Sequence, residues 1–226
     1  MIQSNQQFPP VAIDMVADPV CPWCYIGFRA LDWVAMALSF ETPLAIRYRP
    51  YRLDPTTPPE GRDRAATLAA KFPDPGHRAA VNDALKTAMA DVGLSFDPGL
   101  PPRLPDPTDA QRLVLWSHAD GLQRETMAAL FDAYWQHGED ISQRDVLRQV
   151  AITAGLDGDD VAERLETNED RTAIAEEAAA FRQGGVDGVP TFIVGEQAGF
   201  AGALPKAKML EAFRTLIADL DEADPA

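Results

Sequence analysis

The chain contains 226 residues, of which 46% are hydrophobic and 24% are charged, a composition typical of a folded protein with a substantial core. Its 35 acidic and 20 basic residues give a net charge of -15 at pH 7, so its surface is expected to repel phosphate groups and anionic lipid headgroups. Nucleic acid and membranes are therefore excluded as expected partners, and no stretch approaches the roughly 18 uninterrupted apolar residues of a membrane span.

The N-terminal stretch and the cysteine content both bear on the expected compartment. Met1 to Pro10 lacks the basic and apolar regions of a secretory signal, which favours the cytoplasm. The chain has only two cysteines, three positions apart, whereas a structural disulfide framework needs more cysteines at wider spacing. The pair therefore favours a chemical role.

The first fifty residues predict a β-α-β unit. Val11 to Val16 is a short apolar run typical of a buried strand, and a turn at Asp18 ends it. Apolar residues then recur at three- and four-residue spacing from Ile26 to Leu38, which predicts an amphipathic helix. Leu44 to Tyr51 alternates apolar and basic residues, as a second strand does.

A change of pattern follows Asp54 to Gly61, where three prolines and a glycine within eight residues indicate a domain boundary. From about Arg64 to Arg182 the sequence favours helices, of which we count five or six. One is expected to start at Ser142, which has the spacing of a capping box with Asp145. We predict an all-helical insertion over residues 63–184, between the two halves, 1–62 and 185–226, of a discontinuous domain.

The chain returns to β character after residue 185. Thr191 to Val194 predicts a strand, Gly195 to Gln197 a turn, and Gly199 to Ala201 a short partner strand. A last helix is expected from Pro205 to about Leu220. The fold class predicted from the elements is thus α/β with a large helical insertion.

The cysteines lie in the segment Cys21-Pro22-Trp23-Cys24, where the first strand gives way to the helix. If Cys21 is the N-cap, Pro22 takes the first helical position and Cys24 the third. The Cys21 sulfur then faces unpaired N–H groups and the positive end of the helix dipole, which lower a cysteine pKa from about 8.5 to a range of about 3.5 to 7.5. We expect Cys21 to be the nucleophile and Cys24, shielded behind Trp23, to be the resolving thiol.

Asp18 and the histidines are the other candidates for chemistry near this pair. For Asp18 three roles stay open: it opposes thiolate formation, relays a proton to Cys24, or only starts the loop. A C-x-x-C pair also occurs as half of a zinc site, but zinc needs two more ligands. No third cysteine exists, and His77, His118 and His137 have no paired spacing, so no metal is expected.

A proline stands directly before the predicted strand at Thr191. A cis Val189-Pro190 bond would start this strand as a tight bend, although trans X-Pro bonds are far commoner. The combination with an upstream C-x-x-C on a strand-to-helix turn favours the cis form.

The sequence resembles the DsbA-like branch of the thioredoxin superfamily, and most closely its FrnE-like group of dithiol oxidoreductases. The matching segments are Asp18 to Gly27, Arg49 to Leu53, Pro58 to Gly61, Leu130 to Trp135, Gly138 to Ile141, and Gly185 to Phe192. The resemblance implies a thioredoxin-like fold interrupted by the helical insertion, with Cys21 and Cys24 as the redox pair. It also implies that Pro190 is a cis proline facing them and that the Val189 backbone pairs with an extended substrate. Pro22 and Trp23 complete the expected substrate-binding residues.

The function expected from these features is a cytoplasmic dithiol reductase or isomerase acting on protein or small-molecule disulfides, without a bound cofactor, as a monomer or homodimer. One alternative is a glutathione-dependent isomerase or transferase of the kappa or hydroxychromene-carboxylate type, although those relatives typically carry serine where Cys21 stands. Another is a redox-regulated holdase. Arg47, Arg49 and Arg52 could meet a glutathione carboxylate, but an exposed strand face is the preferred interpretation.

Overall fold

A four-stranded mixed sheet lies at the centre of the computed structural model, which describes residues 10–223. The strands in chain order are β1 (Val11–Ala17), β2 (Leu44–Pro50), β3 (Arg62–Asp63), β4 (Arg103–Leu104), β5 (Thr191–Val194) and β6 (Ala198–Ala201). The central sheet has the order β2-β1-β5-β6; β1 runs parallel to β2 and antiparallel to β5, which pairs antiparallel with β6. Most of the stretch considered for a secretory signal lies outside the described residues.

Nine α-helices surround this sheet within the described residues. In chain order they are α1 (Pro22–Leu38), α2 (Arg64–Lys71), α3 (Pro75–Asp91), α4 (Thr108–Trp116), α5 (Gln123–Phe131), α6 (Arg144–Ala154), α7 (Gly158–Leu165), α8 (Arg171–Gln183) and α9 (Lys206–Ala223). A π-helical turn, Asp132–Gln136, directly continues α5. The β-α-β unit, the paired strands β5 and β6 and the last helix agree with the sequence prediction, although α9 extends past Leu220.

Three details of the predicted helical segment are wrong. It holds seven α-helices between residues 64 and 183, all of them described, rather than five or six. It is not all-helical, because β3 and β4 form an antiparallel ribbon whose two-residue strands are too short to leave a periodic pattern. The capping box at Ser142 does not form: the N-cap of α6 is Gln143, and the Ser142 hydroxyl donates to Asp140 instead.

The helical segment and the sheet share one core. The Tyr25 ring of α1 stacks on Phe131 at the end of α5, and Phe28 also contacts Phe131. On the other side of the molecule, the rings of Phe192, Phe200 and Phe213 join β5, β6 and α9. The helical segment is therefore packed against the rest of the chain, and the domain boundaries at 62/63 and 184/185 stay predictions.

Two glutamines close the free edge of the sheet at β2. The Gln123 amide accepts from the backbone N–H of Tyr48 (3.2 Å) and donates to its carbonyl (3.4 Å), as a neighbouring strand would. Gln111 donates to the Tyr51 carbonyl at 2.6 Å. Helices α4 and α5, which carry these side chains, thus protect an edge that would otherwise be open to pairing with another chain.

Arg112 joins the helices of the inserted segment from a fully buried position in α4. Its guanidinium donates to the carbonyls of Arg164, Thr167 and Glu169, which follow or end α7, and to the Asp109 carboxylate. These contacts join α4 to the end of α7 and to the loop that follows it.

Replacing Arg112 by methionine should therefore destabilise the protein. Arg112→Met takes a donor from each of the three carbonyls and a partner from the Asp109 carboxylate, and we expect the free energy of unfolding to fall by about 3 to 5 kcal/mol in urea titrations. The control is Arg148→Met, which removes an ion pair with the exposed Asp159 and should cost less than about 1 kcal/mol. Equal losses in the two variants would contradict this account of Arg112.

Candidate active site

The two cysteines lie at the start of α1, where the sequence predicts them. Cys21 is the N-cap, with φ -92° and ψ 119°, and Pro22 occupies the first helical position. The Cys21 N–H donates to the Asp18 carbonyl at 3.0 Å, and the Cys24 N–H donates to the Cys21 carbonyl at 3.1 Å. Both thiols are free, so the structure represents the reduced dithiol.

The two thiols differ in their surroundings. Cys24 is fully buried, whereas Cys21 keeps 3% of its surface exposed and its thiol donates to the Val189 carbonyl at 3.7 Å. Burial raises the pKa of the Cys24 thiol well above its usual value, and the adjacent Cys21 sulfur raises it further. Cys24 is thus held protonated, as a shielded resolving thiol would be.

The carboxyl group of Asp18 is buried beside this pair. Its two oxygens accept from the backbone N–H groups of Val20 (3.1 Å) and Leu53 (2.8 Å). Burial raises the pKa of Asp18 to about 6, while these hydrogen bonds and the nearby Arg52 act in the opposite direction. The Asp18 charge also helps to raise the pKa of Cys24. Asp18 therefore does more than start the loop.

Val189 and Pro190 lie across from the dithiol. The Val189–Pro190 peptide bond is cis, and the Pro190 carbonyl accepts from the Gly202 N–H at 2.7 Å. Pro190 is buried, whereas Val189, Pro22 and Trp23 are half-buried and partly open to solvent. The structure brings Cys21 and Val189 together; the substrate-binding roles of these residues stay predictions.

Gly27 is a residue of the site that sequence reasoning missed. A Cβ atom at this position of α1 would lie 2.8 Å from Cγ of Pro190 and 3.2 Å from Cζ of Phe192. The absence of a side chain therefore allows the cis-proline loop to approach the helix that carries the cysteines. A glycine inside a strong helical pattern was the available signal.

The π-helical turn contributes two further contacts that the sequence pattern does not reveal. The Tyr25 hydroxyl, next to Cys24 in the chain, donates to the Asp132 carboxylate. The Trp135 indole N–H donates to the Pro19 carbonyl at 3.2 Å. The helical segment thus contacts the chain on both sides of the cysteine pair.

The arginines considered for binding an anion are already paired. Arg47 bonds Asp14 at 2.8 Å, Arg49 bonds Glu177, and Arg52 lies 3.1 Å from Asp106. The prediction that these arginines lie on an exposed strand face is wrong, because they are partly buried and form ion pairs with acidic residues.

A solvent-open cleft of about 180 Å³ borders Pro19 and β2, but neither cysteine lines it. Among residues 10–223, no three or more His, Cys, Asp or Glu side chains are grouped so that they could hold a metal ion. None of the helices described is long and apolar enough to cross a membrane.

Two comparisons of the sequence with known proteins find matches that cover most of the chain. The sequence profile of the DSBA-like thioredoxin domain matches residues 12–218. YwbO, an uncharacterised protein of Bacillus subtilis, is 23% identical over 215 residues, which cover 92% of this chain and 96% of the relative.

Three solved structures extend the similarity to the fold. The probable DsbA oxidoreductase SCO1869 of Streptomyces coelicolor superposes with a TM-score of 0.78 and 22% identity, over 89% of this chain and 88% of that one. The cytosolic disulfide reductase DsbM of Pseudomonas aeruginosa does so with a TM-score of 0.63 and 21% identity, over 92% and 99%. DsbM with GSH also matches, with a TM-score of 0.59 and 23% identity, over 90% and 99%.

The buried Asp18 should make stability depend on pH. Its pKa is about 6 in the folded chain and 3.8 when exposed, so the folded state binds the proton more tightly and loses this stabilisation as the pH rises from about 4 to 6. Asp18→Asn removes the titration. We expect the free energy of unfolding of the wild type to fall relative to the variant by about 2.4 kcal/mol between pH 4 and 7, measured by urea unfolding of reduced protein. A constant difference across this range would contradict the assignment.

Filling the space at Gly27 should impair exchange without unfolding the protein. In Gly27→Ala the added methyl group displaces Pro190, and with it Val189, from α1. We expect the dithiol to react about tenfold more slowly with the aromatic disulfide DTNB at pH 7, as loss of roughly 1.4 kcal/mol of orientation would produce. Gly76→Ala, at the exposed start of α3, is the matched helical control. Equal rates in both variants would show that the close approach has no role.

Proposed function

Because the chain belongs to the DSBA-like thioredoxin domain family, we propose that it is a dithiol reductase or isomerase that exchanges disulfides through Cys21 and Cys24. The observation that carries this proposal is the unequal environment of the two sulfurs. One thiol stands at a helix N-terminus against a backbone carbonyl, and the other is fully buried with a raised pKa beside an acid. Disulfide exchange needs an attacking sulfur and a protected resolving sulfur, in that arrangement.

In the first step, the Cys21 sulfur attacks as a thiolate. It forms a bond to one sulfur of the partner disulfide, and the other partner sulfur leaves as a thiolate and takes up a proton. Cys21 stands at the N-terminal end of α1, where the positive end of the helix dipole stabilises negative charge. The product is a mixed disulfide between Cys21 and the partner.

In the second step, Cys24 attacks the Cys21 sulfur and releases the partner. The Cys24 proton must leave first, because its pKa is raised and only the thiolate is nucleophilic. Asp18, with a pKa of about 6, is mostly ionised at pH 7 and accepts this proton inside the protein. The partner disulfide has then gained two electrons and two protons, and Cys21–Cys24 is oxidised.

The half-buried residues around Cys21 supply the expected substrate contacts. The backbone of Val189 precedes β5 and presents its carbonyl toward the Cys21 thiol, where an extended peptide can add as a strand. Pro22 and Trp23 follow Cys21 directly in the first turn of α1. We assign these residues, with Pro190, to binding the segment that carries the partner disulfide.

The cytoplasm is the compartment that we propose. A reducing compartment keeps the pair largely as a dithiol and so favours reduction or isomerisation over net oxidation. The similarity in fold to a cytosolic disulfide reductase supports this direction.

Glutathione is the proposed small-molecule co-substrate. The match to DsbM with GSH supports it and keeps a glutathione-dependent isomerase or transferase as the second candidate. In that case Cys21 would activate glutathione or rest as a mixed disulfide with it.

Reduction of insulin disulfides with glutathione as the electron donor tests the proposal. We expect turnover by the wild type, loss of turnover to the background rate in Cys21→Ser, and a trapped mixed disulfide at Cys21 in the matched variant Cys24→Ser, detected by mass spectrometry. Full activity of Cys21→Ser would contradict the proposal. Glutathione conjugation without insulin turnover would favour the second candidate, and suppression of client aggregation by the oxidised protein alone would favour a holdase.

A further inference from the structure

The turn that leads into the dithiol, residues 18–21, is held by several hydrogen bonds. Within the turn, the Cys21 N–H bonds the Asp18 carbonyl, and the Asp18 carboxyl group bonds the N–H groups of Val20 and Leu53. The Pro19 carbonyl points away from these partners and accepts from the Trp135 indole at 3.2 Å, in buried surroundings. Trp135 is thus the contact that reaches this turn from the helical segment.

Trp135 has a fixed orientation. Its side chain is 4% exposed, the Arg64 guanidinium lies 5.4 Å from its ring centre, and the Tyr134 ring meets it edge-on at 5.1 Å. Arg64 is itself buried and donates to the Pro98 carbonyl at 3.1 Å. Because these contacts fix the indole ring, its N–H group keeps a constant direction toward the Pro19 carbonyl.

The π-helical turn explains how one element reaches both sides of the dithiol. The His137 N–H bonds the Asp132 carbonyl, five residues back, at 3.1 Å. Asp132 accepts from Tyr25, directly after Cys24, while Trp135 donates to Pro19, two residues before Cys21. Such π-helical turns inside α-helices are frequent at functional sites.

We infer that Trp135 is a positioning residue for disulfide exchange: its indole N–H fixes the Pro19 carbonyl and so holds Asp18 and Cys21 in place relative to Cys24. The inference rests on the proposed exchange through these cysteines. The helical segment then does more than pack against the sheet: through Trp135 it sets the position of the turn, on which proton transfer from Cys24 to Asp18 depends.

Trp135→Phe is the variant that isolates the N–H group. Phenylalanine retains an aromatic ring for Arg64 but leaves the Pro19 carbonyl buried without a donor, so the turn must shift or admit water to satisfy it. The step that depends on Asp18, attack by Cys24, should slow by about tenfold at pH 7, while the attack by Cys21 changes less.

Stopped-flow reaction with DTNB separates the two steps. Attack by Cys21 forms a mixed disulfide and releases one thionitrobenzoate; attack by Cys24 then forms the Cys21–Cys24 disulfide and releases the second. We expect the second phase of the wild type to follow an ionisation near pH 6, that of Asp18. In Trp135→Phe this inflection should move to lower pH, because water that reaches the turn relieves the burial of Asp18.

Trp116→Phe is the matched control. Trp116 is also buried, donates its indole N–H to a side chain, Asp170, at 2.9 Å, and stacks with Arg112, but it lies in α4 and makes no contact with the dithiol turn among the bonds of the described residues. In Trp116→Phe, the second phase of the DTNB reaction should keep the wild-type rate and pH profile even if the thermal stability of the variant falls.

Each outcome separates the hypotheses. A slower second phase with a shifted pH profile in Trp135→Phe alone supports the inference. Loss of thermal stability with an unchanged second phase overturns it and leaves Trp135 a structural role. Absence of two-phase release in the wild type contradicts the proposed function instead.

A second measurement uses the unmodified chain and covers the case in which Trp135→Phe does not fold. The Trp135 indole resonance, assigned from Phe variants of the other three tryptophans, should shift when the dithiol is oxidised, while that of Trp116 should not. An unchanged Trp135 resonance would also overturn the inference.

Discussion

The carboxyl group of Asp18 lies buried beside the dithiol, where an ionised acid is costly unless polar groups meet it. Two backbone N–H groups do so, and they come from different parts of the chain: Val20 follows in the same turn, and Leu53 follows β2. Leu53 reaches the acid because β1 and β2 run parallel, with Ala17 beside Pro50 at the ends of the two strands. The position of the acid therefore depends on the β-α-β unit as a whole, and its charge adds to the burial and the Cys21 sulfur that raise the pKa of Cys24.

The elements after this unit complete the surroundings of the cysteines. Strand β5 pairs with β1 and carries the cis Val189–Pro190 bond to the Cys21 thiol, and Gly27 leaves room for that approach. The helical segment protects the free edge of the sheet through Gln123 and contacts the turn through Trp135. The inserted helical segment thus supplies one of the contacts that hold the turn before Cys21.

Much of the site could be predicted because its signals are local. The position of Cys21 as N-cap follows from adjacent residues, Pro22 above all, and the shielding of Cys24 follows from helix geometry. The cis form of Pro190 could be predicted only in combination with the upstream C-x-x-C turn, because the proline alone favours a trans bond.

Features that depend on distant partners could not be read from the pattern. Arg49 is paired with Glu177, 128 positions away, so the alternation of β2 could not distinguish an ion pair from an exposed face. Ser142 failed for a local reason instead: it has the spacing of a capping box, but its hydroxyl donates to Asp140, two residues earlier. The raised pKa of Asp18 arises from burial by several elements, which the sequence does not place around it. The most direct test of the unequal thiols is alkylation of the reduced protein by iodoacetamide at pH 7, with the modified sites followed by mass spectrometry. The account predicts that Cys21 reacts first and that Cys24 reacts at least about tenfold more slowly until the protein is unfolded. Equal rates for the two thiols, or faster modification of Cys24, would contradict it.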